Sequence, residues 1–211
     1  MKIASFDIGL KTCSVAIETY GETQIKPPKV KYIKGGEATP EMKAFITEIR
    51  KLGSILHLEK KDLGDKKTYF SGQAFRNLYA WCEELDIHLN NCDIILIEQQ
   101  MRVNNIAQAL MYHLQAFLMI KYKDKNIKLY PSKNKTRILG APLKVENEEG
   151  KLKKVTKYQR KKWSCICADE MLKDRKDELW HTYIFKTNKS KKDDLSDVLM
   201  QTLSFVVDKC K

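Results

Sequence analysis

Four aliphatic residues in a row, Ile94 to Ile97, run directly into a carboxylate, Glu98, with the polar pair Cys92-Asp93 before them. A short continuous apolar run between polar residues suits a strand covered on both faces, since a strand with one wet face would alternate. A chain with such a strand needs a sheet around it and helices on both sides of that sheet. Glu98 then stands at the carboxyl end of the strand, the region of an α/β sheet where ligands bind.

The rest of the chain offers those elements. Residues 2 to 8 are mostly apolar and read as a buried strand; Gly9-Leu10-Lys11-Thr12 reads as a turn, and Cys13 to Glu18 as the second strand of a hairpin. Val30 to Ile33 predicts a third strand, broken by Gly35-Gly36. Thr39-Pro40-Glu41 predicts a helix start, with Thr39 as cap and Pro40 in the first turn, and the helix runs to about Leu52. Residues 57 to 70 are charged and irregular and read as an exposed insertion. Ser71 is a candidate cap for a helix through Leu85, with Phe75, Leu78, Tyr79 and Cys82 at helical spacing. A helix is predicted from Asn104, read as its cap with a contact to DNA backbone as the alternative, to Tyr122, a short strand at Lys128 to Tyr130, and a helix opened by Pro131-Ser132-Lys133 that ends at Gly140. Residues 144 to 162 predict a loop followed by a basic helix. The last helix spans Asp193 to Asp208, with Leu195, Val198, Leu199, Thr202, Phe205 and Val206 on its inner face. Strands first, then strands alternating with helices, predict one mixed α/β domain over residues 1–211. It has a central mixed sheet that begins with an antiparallel hairpin and is flanked by helices. A charged insertion around 36–70 and a basic segment around 144–162 are added to it. A length of 211 residues allows one sizeable core without requiring two domains.

Carboxylates occur where structure alone does not ask for them. Asp7 lies inside an apolar strand between Phe6 and Ile8, and a buried carboxylate needs a partner or a metal. Asp194 and Asp197 are three apart on the last helix, so they share a face beside its buried stripe. Each has a plainer reading: Asp7 as a turn former, Glu98 as a strand end, Asp193 and Asp194 as residues favoured by a helix dipole. Jointly those readings are weaker, because three separate segments bring acids next to apolar runs in a strongly basic chain. Lys and Arg number 39 against 27 Asp and Glu, a formal charge of +12. That excess points to a polyanion, with nucleic acid first, because neutralising phosphates releases counterions. Clustered carboxylates holding two hard divalent cations are an arrangement used to hydrolyse phosphodiesters.

These segments resemble a known family. Phe6-Asp7-Ile8-Gly9, followed by Ser14-Val15-Ala16, resembles the first strand and hairpin of RuvC-like Holliday junction resolvases of the ribonuclease H-like superfamily. Ile95-Leu96-Ile97-Glu98-Gln99-Gln100 resembles their second acidic motif, in the form of the poxvirus and fungal mitochondrial branch. Asp194-Leu195-Ser196-Asp197 resembles their closing D-x-x-D helix. The resemblance implies a ribonuclease H-like fold, with Asp7, Glu98, Asp194 and Asp197 as catalytic ligands of two Mg2+ ions and Mn2+ as a substitute. It implies a basic residue near the scissile phosphate. Lys135 falls five before Gly140, as in the RuvC pattern, with Lys133 as the fallback. It implies a homodimer that nicks opposed strands of a four-way DNA junction symmetrically. Asp193 is an alternative to Asp194, since it shares a face with Asp197 at i and i+4.

Lys133, Lys151, Lys153, Lys154, Lys157, Arg160, Lys161 and Lys162 are the candidate DNA contacts, against the alternative of a solvated face. Tyr158 and Trp163 are candidates to stack on an open base or to be buried. The four histidines show no ligand spacing, and the scattered cysteines read as free thiols in a reducing, intracellular compartment. For a viral member that compartment is the site of viral DNA replication in the host cell. No apolar run approaches the roughly 20 residues of a membrane span, and no signal peptide is read at the N-terminus. Three other functions compete. They are a nuclease for flaps, other branched DNA or RNA–DNA hybrids, an ATP-binding protein of the actin and sugar-kinase type, and an inactive DNA-binding module. The nine glycines and the lack of a second Gly-rich phosphate loop argue against the ATP-binding reading.

Overall fold

The computed structural model describes residues 1–33, 36–101, 103–146 and 150–210. Contacts divide the chain into two compact units, each built from two stretches. The first holds Met1–Tyr20 and Ser54–Ser132; the second holds Gly21–Gly53 and Lys133–Lys211.

The first unit is organised by a five-stranded sheet. The hairpin is strand β1, Lys2–Asp7, and strand β2, Cys13–Tyr20. Helix α1, Pro40–Lys51, belongs to the second unit and leads into strand β3, Gly53–Lys61. Helices α2 (Lys66–Phe70), α3 (Gln73–Glu84) and α4 (Asp86–Leu89) precede strand β4, Ile94–Gln99. Helix α5, Asn105–Lys121, and strand β5, Asn126–Pro131, complete the unit. The strand order is β3-β2-β1-β4-β5. β1 runs antiparallel to β2, whereas β4 is parallel to both β1 and β5.

Both faces of β4 are buried, as its apolar run predicts: Ile95, Leu96 and Ile97 are each at 0% exposure. Ala4, Phe6, Val15, Ile17, Ile95 and Ile97 pack in one cluster with Leu78 and Trp81 of α3 and Leu110 and Leu114 of α5. Trp81 lies edge-on to Phe6, with ring centroids 5.7 Å apart, and its indole N–H donates to Glu59. Trp81→Ala is therefore expected to cost about 3–5 kcal/mol of unfolding free energy, read by denaturant titration. A loss under about 1 kcal/mol would show that this part of the core collapses to fill the gap. Glu59 adds a pH signature. The neighbouring His57, with Nε2 3.4 Å from Glu59 Oε2, lowers its carboxyl, against burial and with the Trp81 hydrogen bond. A carboxyl held below its unfolded value stabilises the fold above the ordinary carboxylate range, and this contribution is lost as pH falls through the lowered value. Glu59→Gln is expected to flatten that acid limb of the stability curve.

In the second unit α1 is capped as expected, with Thr39 Oγ1 accepting from Met42 N at 3.2 Å. It is followed by helix α6, Lys133–Ile138, and a two-stranded hairpin of β6, Lys144–Glu146, and β7, Leu152–Lys154. Helix α7, Lys157–Asp174, opens on a capping box of Thr156 and Gln159. Helix α8, Glu178–Thr182, a π-helical turn at Tyr183–Thr187 and helix α9, Lys192–Lys209, end the chain. α7, α6 and α1 pack on α9, and Arg50 of α1 bonds Asp174 and Glu170 of α7 at 2.5 and 3.1 Å.

Three expectations need correction. Val30 to Ile33 is no strand; a single bridge joins Tyr32 to Ala38, and Val30 and Ile33 are exposed. Gly35, expected to break it, lies outside the described residues. Residues 57 to 70 are not an irregular insertion, because β3 is a strand of the main sheet and α2 a short helix capped by Asp65. The expected loop within 144–162 contains β6 and β7, while residues 147–149 lie outside the described residues. Among the described residues no helix is long and apolar enough to cross a membrane.

Candidate active site

In the first unit the carboxylates are positioned by strand register. Phe6 of β1 pairs with Ile97 of β4 in parallel, so Asp7 and Glu98 follow side by side at the carboxyl ends of adjacent strands. Adjacent strands lie about 5 Å apart. Side chains alternate along each strand. Ala4, Phe6, Ile95 and Ile97 point to the α3 and α5 side, so Asp7 and Glu98 both face the other way. Ser14 of β2 pairs with Asp7, and Tyr130 of β5 pairs with Glu98, on that same face. Glu98 is buried at 7% exposure and Asp7 is half-buried.

The segment after β4 is tied to this corner. Gln100 Nε2 donates to Asp7 Oδ1 at 3.3 Å, and the Gln100 backbone N–H meets Met111 Sδ of α5 at 3.3 Å. Gln100 was legible as part of the Glu-Gln-Gln motif, but sequence reasoning gave it no role. Gly9 keeps the turn after Asp7 tight: a Cβ there would sit 2.9 Å from the Thr12 carbonyl oxygen.

In the second unit the acids lie on the first two turns of α9. Lys135 of α6 is buried at 8% exposure, and its Nζ is 3.3 Å from Asp197 Oδ2. The glycine five residues on has a steric reason. Gly140 has φ +71°, and a Cβ there would meet Ala38 Cβ at 2.4 Å and its backbone nitrogen at 2.7 Å. Lys133 is exposed instead, so burial beside an acid distinguishes Lys135.

Lys161 of α7 bonds Asp193 and stands 3.4 Å from Asp194 Oδ1. Burial alone would raise the Asp193 carboxyl, but the Lys161 hydrogen bond and charge outweigh it and hold the group below its ordinary value. Burial would likewise lower the Lys161 ammonium; the hydrogen bond to Asp193 and the nearby carboxylates drive it well above its ordinary value. Lys161 is therefore engaged within its own unit by Asp193 and Asp194. Lys151, Lys153, Lys154, Lys157, Arg160 and Lys162 are exposed, as is Tyr158, while Trp163 is half-buried. Lys186, Lys189 and Lys191 form a further exposed basic stretch just before the acids of α9. Their signal in the sequence is the lysine run ahead of Asp193.

Carboxylate oxygens are the donors that a hard divalent cation takes. Each unit supplies such donors in adjacent pairs: Asp7 with Glu98, and Asp194 with Asp197. In chemistry they fit magnesium. Among the described residues no group of three or more His, Cys, Asp or Glu is arranged to hold a metal ion. The six cysteines are free, and burial pushes the thiols of Cys82 and Cys167 up to about 12, so they stay protonated at neutral pH. His57 and His88 stack with ring centroids 4.5 Å apart, His113 meets the Tyr79 hydroxyl, and His181 bonds Asp169.

No family model matches the chain. It is 30% identical over 219 residues to uncharacterized protein 97L of Invertebrate iridescent virus 3, covering 93% of this chain and 95% of that protein. Among solved structures it is similar to the Fowlpox virus resolvase, determined in complex with its substrate Holliday junction DNA. The TM-score is 0.59 with 16% identity, over 100% of both chains. It is also similar to Thermus thermophilus RuvC, with a TM-score of 0.53 and 11% identity, over 98% of this chain and 94% of that one. The chain therefore belongs to the family of Invertebrate iridescent virus 3 protein 97L, and its fold is the ribonuclease H-like fold of the RuvC-type resolvases.

Proposed function

We propose that the protein is a metal-dependent endonuclease that resolves four-way DNA junctions by paired, symmetric phosphodiester hydrolysis. The observation that carries this is the pair Asp7 and Glu98, side by side at the ends of adjacent parallel strands in a fold shared with junction resolvases. Asp7, Glu98, Asp194 and Asp197 would hold Mg2+, two ions per site, with Mn2+ able to substitute. When bound, the metal supplies an activated water and stabilises the leaving oxygen, giving nicks with 5′-phosphate and 3′-hydroxyl ends. Lys135 steadies the negative charge that develops on the phosphate. Gln100 keeps the Asp7 carboxylate oriented. The exposed lysines of β7 and α7, joined by Lys186, Lys189 and Lys191, neutralise junction phosphates.

The second copy meets this one through α5. Asn105 to Ile120 contains no Asp, Glu, Lys or Arg in a chain that is 31% charged. Its outward residues include Tyr112, Met119 and Ile120, exposed at 52%, 57% and 74%. Two copies of a protein of charge +12 repel wherever lysines face one another, and DNA seeks those same lysines. A charge-free apolar face therefore suits a like-charged partner and not DNA. Tyr112→Lys with Met119→Lys is expected to give monomers in sedimentation and to turn paired nicking into single nicks. A variant that stays dimeric would move the interface elsewhere.

The function is tested by offering a synthetic four-way junction with and without Mg2+, beside linear duplex, flap and RNA–DNA hybrid. Paired nicks on the junction alone, only with metal, are the expected result. Preferred cutting of flaps or hybrids would keep the nuclease and replace its substrate. No cutting of any substrate would overturn the reading.

A further inference from the structure

We propose that Lys161 is a resident counter-cation for Asp194, held in place by Asp193, which a divalent ion entering at Asp194 must displace; this rests on the metal-dependent reading above. The second unit alone carries the argument. α9 opens with Asp193 and Asp194 in its first turn, and their side chains are 27% and 17% exposed. Two neighbouring carboxylates with that little water repel each other, and the positive end of one helix does not offset this fully. Lys161 brings positive charge to both carboxylates. The capping box fixes the start of α7, which sets Lys161 one turn into that helix, against α9.

The lysine serves the two acids unequally. It bonds Asp193 directly and stands 3.4 Å from Asp194, at the long end for a hydrogen bond. Asp194 therefore exchanges Lys161 for a metal more readily than Asp193 does. A lysine suits this role, because its ammonium is a compact charge on a flexible stem and can shift towards Asp193 without leaving. This also gives Asp193 a function. It lies outside the Asp194 and Asp197 pair, and it acts through Lys161 as a positioning residue. One turn on, Asp197 has its own lysine, Lys135, at 3.3 Å. The two bridges offset much of the negative charge at this end of α9 while no metal is present, which weakens its repulsion of the DNA that the surrounding lysines attract.

Charge substitutions at the two ends of the Lys161–Asp193 bridge should move metal affinity in opposite directions. Removing Lys161 removes a competitor, whereas removing the Asp193 charge frees the ammonium to settle on Asp194. The experiment is calorimetric titration of the intact, DNA-free protein with Mg2+ and Mn2+, together with the rise in Tm against metal concentration. Lys161→Met is expected to bind metal about tenfold more tightly, and Asp193→Asn about threefold more weakly, for unit charges a few ångströms away in a partly wet site. The double variant should match Lys161→Met alone, because Asp193 then has nothing to position. Lys161→Arg keeps the charge and should gain no affinity. Lys161→Gln replaces the Met variant if that one does not fold.

Equal affinities for wild type and Lys161→Met would overturn the counter-cation while leaving the metal reading intact. Additive effects in the double variant would overturn the positioning role of Asp193. Wild-type protein with no metal-dependent heat and no shift in Tm would overturn the metal reading itself, and this inference with it.

Discussion

Asp7→Asn is expected to leave junction binding in place and to lower cleavage by three powers of ten or more, about 4 kcal/mol of barrier. The substitution is nearly isosteric. The Asn side chain keeps an oxygen that can accept from Gln100 Nε2, so the 3.3 Å contact that ties the end of β4 to β1 can survive. What disappears is the negative charge, and a metal held by carboxylates loses affinity and placement when one of them becomes neutral. Binding should hold or tighten, because a carboxylate facing a phosphate backbone only repels it. Glu98→Gln should behave alike. Glu98 is buried at 7% exposure, so a near-isosteric Gln keeps its slot filled and the loss should fall on cleavage and not on packing. Gel-shift and nicking assays on one junction read both quantities. Full activity in either variant would remove these residues from the site, and loss of binding together with cleavage would mean a damaged fold.

Lys135→Met is the second large effect. Methionine keeps much of the length and apolar bulk of the lysine stem but carries no charge, so the 8% exposed slot on α6 stays filled. A preorganised charge aimed at the developing phosphate anion supports a loss of about 10²–10³-fold in single-turnover cleavage. Lys135→Arg should recover little, because the guanidinium fork demands space and planarity that a slot shaped for a lysine lacks. Stability should respond as well. Asp197 is 15% exposed and loses the cation 3.3 Å away, so the variant should lose about 1–3 kcal/mol without metal. Saturating Mg2+ should narrow that gap if the ion takes over as counter-charge to Asp197. A gap unchanged by Mg2+ would mean that no ion reaches Asp197.

The sequence revealed most where one physical rule dominates. β4 was legible because a run buried on both faces cannot alternate, and Glu98 because it ends that run. Thr39 and Asn104 were legible as caps because a short oxygen side chain ahead of a helix has one efficient use. They accept from Met42 N and Ala107 N at 3.2 and 3.3 Å. β3 was missed. Ile55 and Leu58 are buried, but Leu56 on the exposed side blurs the alternation, and Glu59-Lys60-Lys61 makes the end look like a loop. Val30 to Ile33 failed in the opposite sense, because strand-forming residues make no strand without a neighbour to pair with. The three-residue strands β6 and β7 are too short to show any period. The bond from Lys161 to Asp193 was not legible because the two lie 32 residues apart, and charge counting cannot separate a lysine tied to an acid from one facing water. The division into two interleaved units leaves no trace in composition.

That interleaving has a consequence for synthesis. A chain emerging from the ribosome delivers α1 early, with Met42, Phe45, Ile46 and Ile49 on the face it will bury. The helices that pack on α1, α7 and α9, are made last. In between, the whole five-stranded sheet is delivered, since β5 ends at Pro131. The nascent chain therefore has all its strands while an apolar helix face waits uncovered, a state prone to self-association. A fragment stopped after β5 would stay in that state permanently, and holdase chaperones would compete for it.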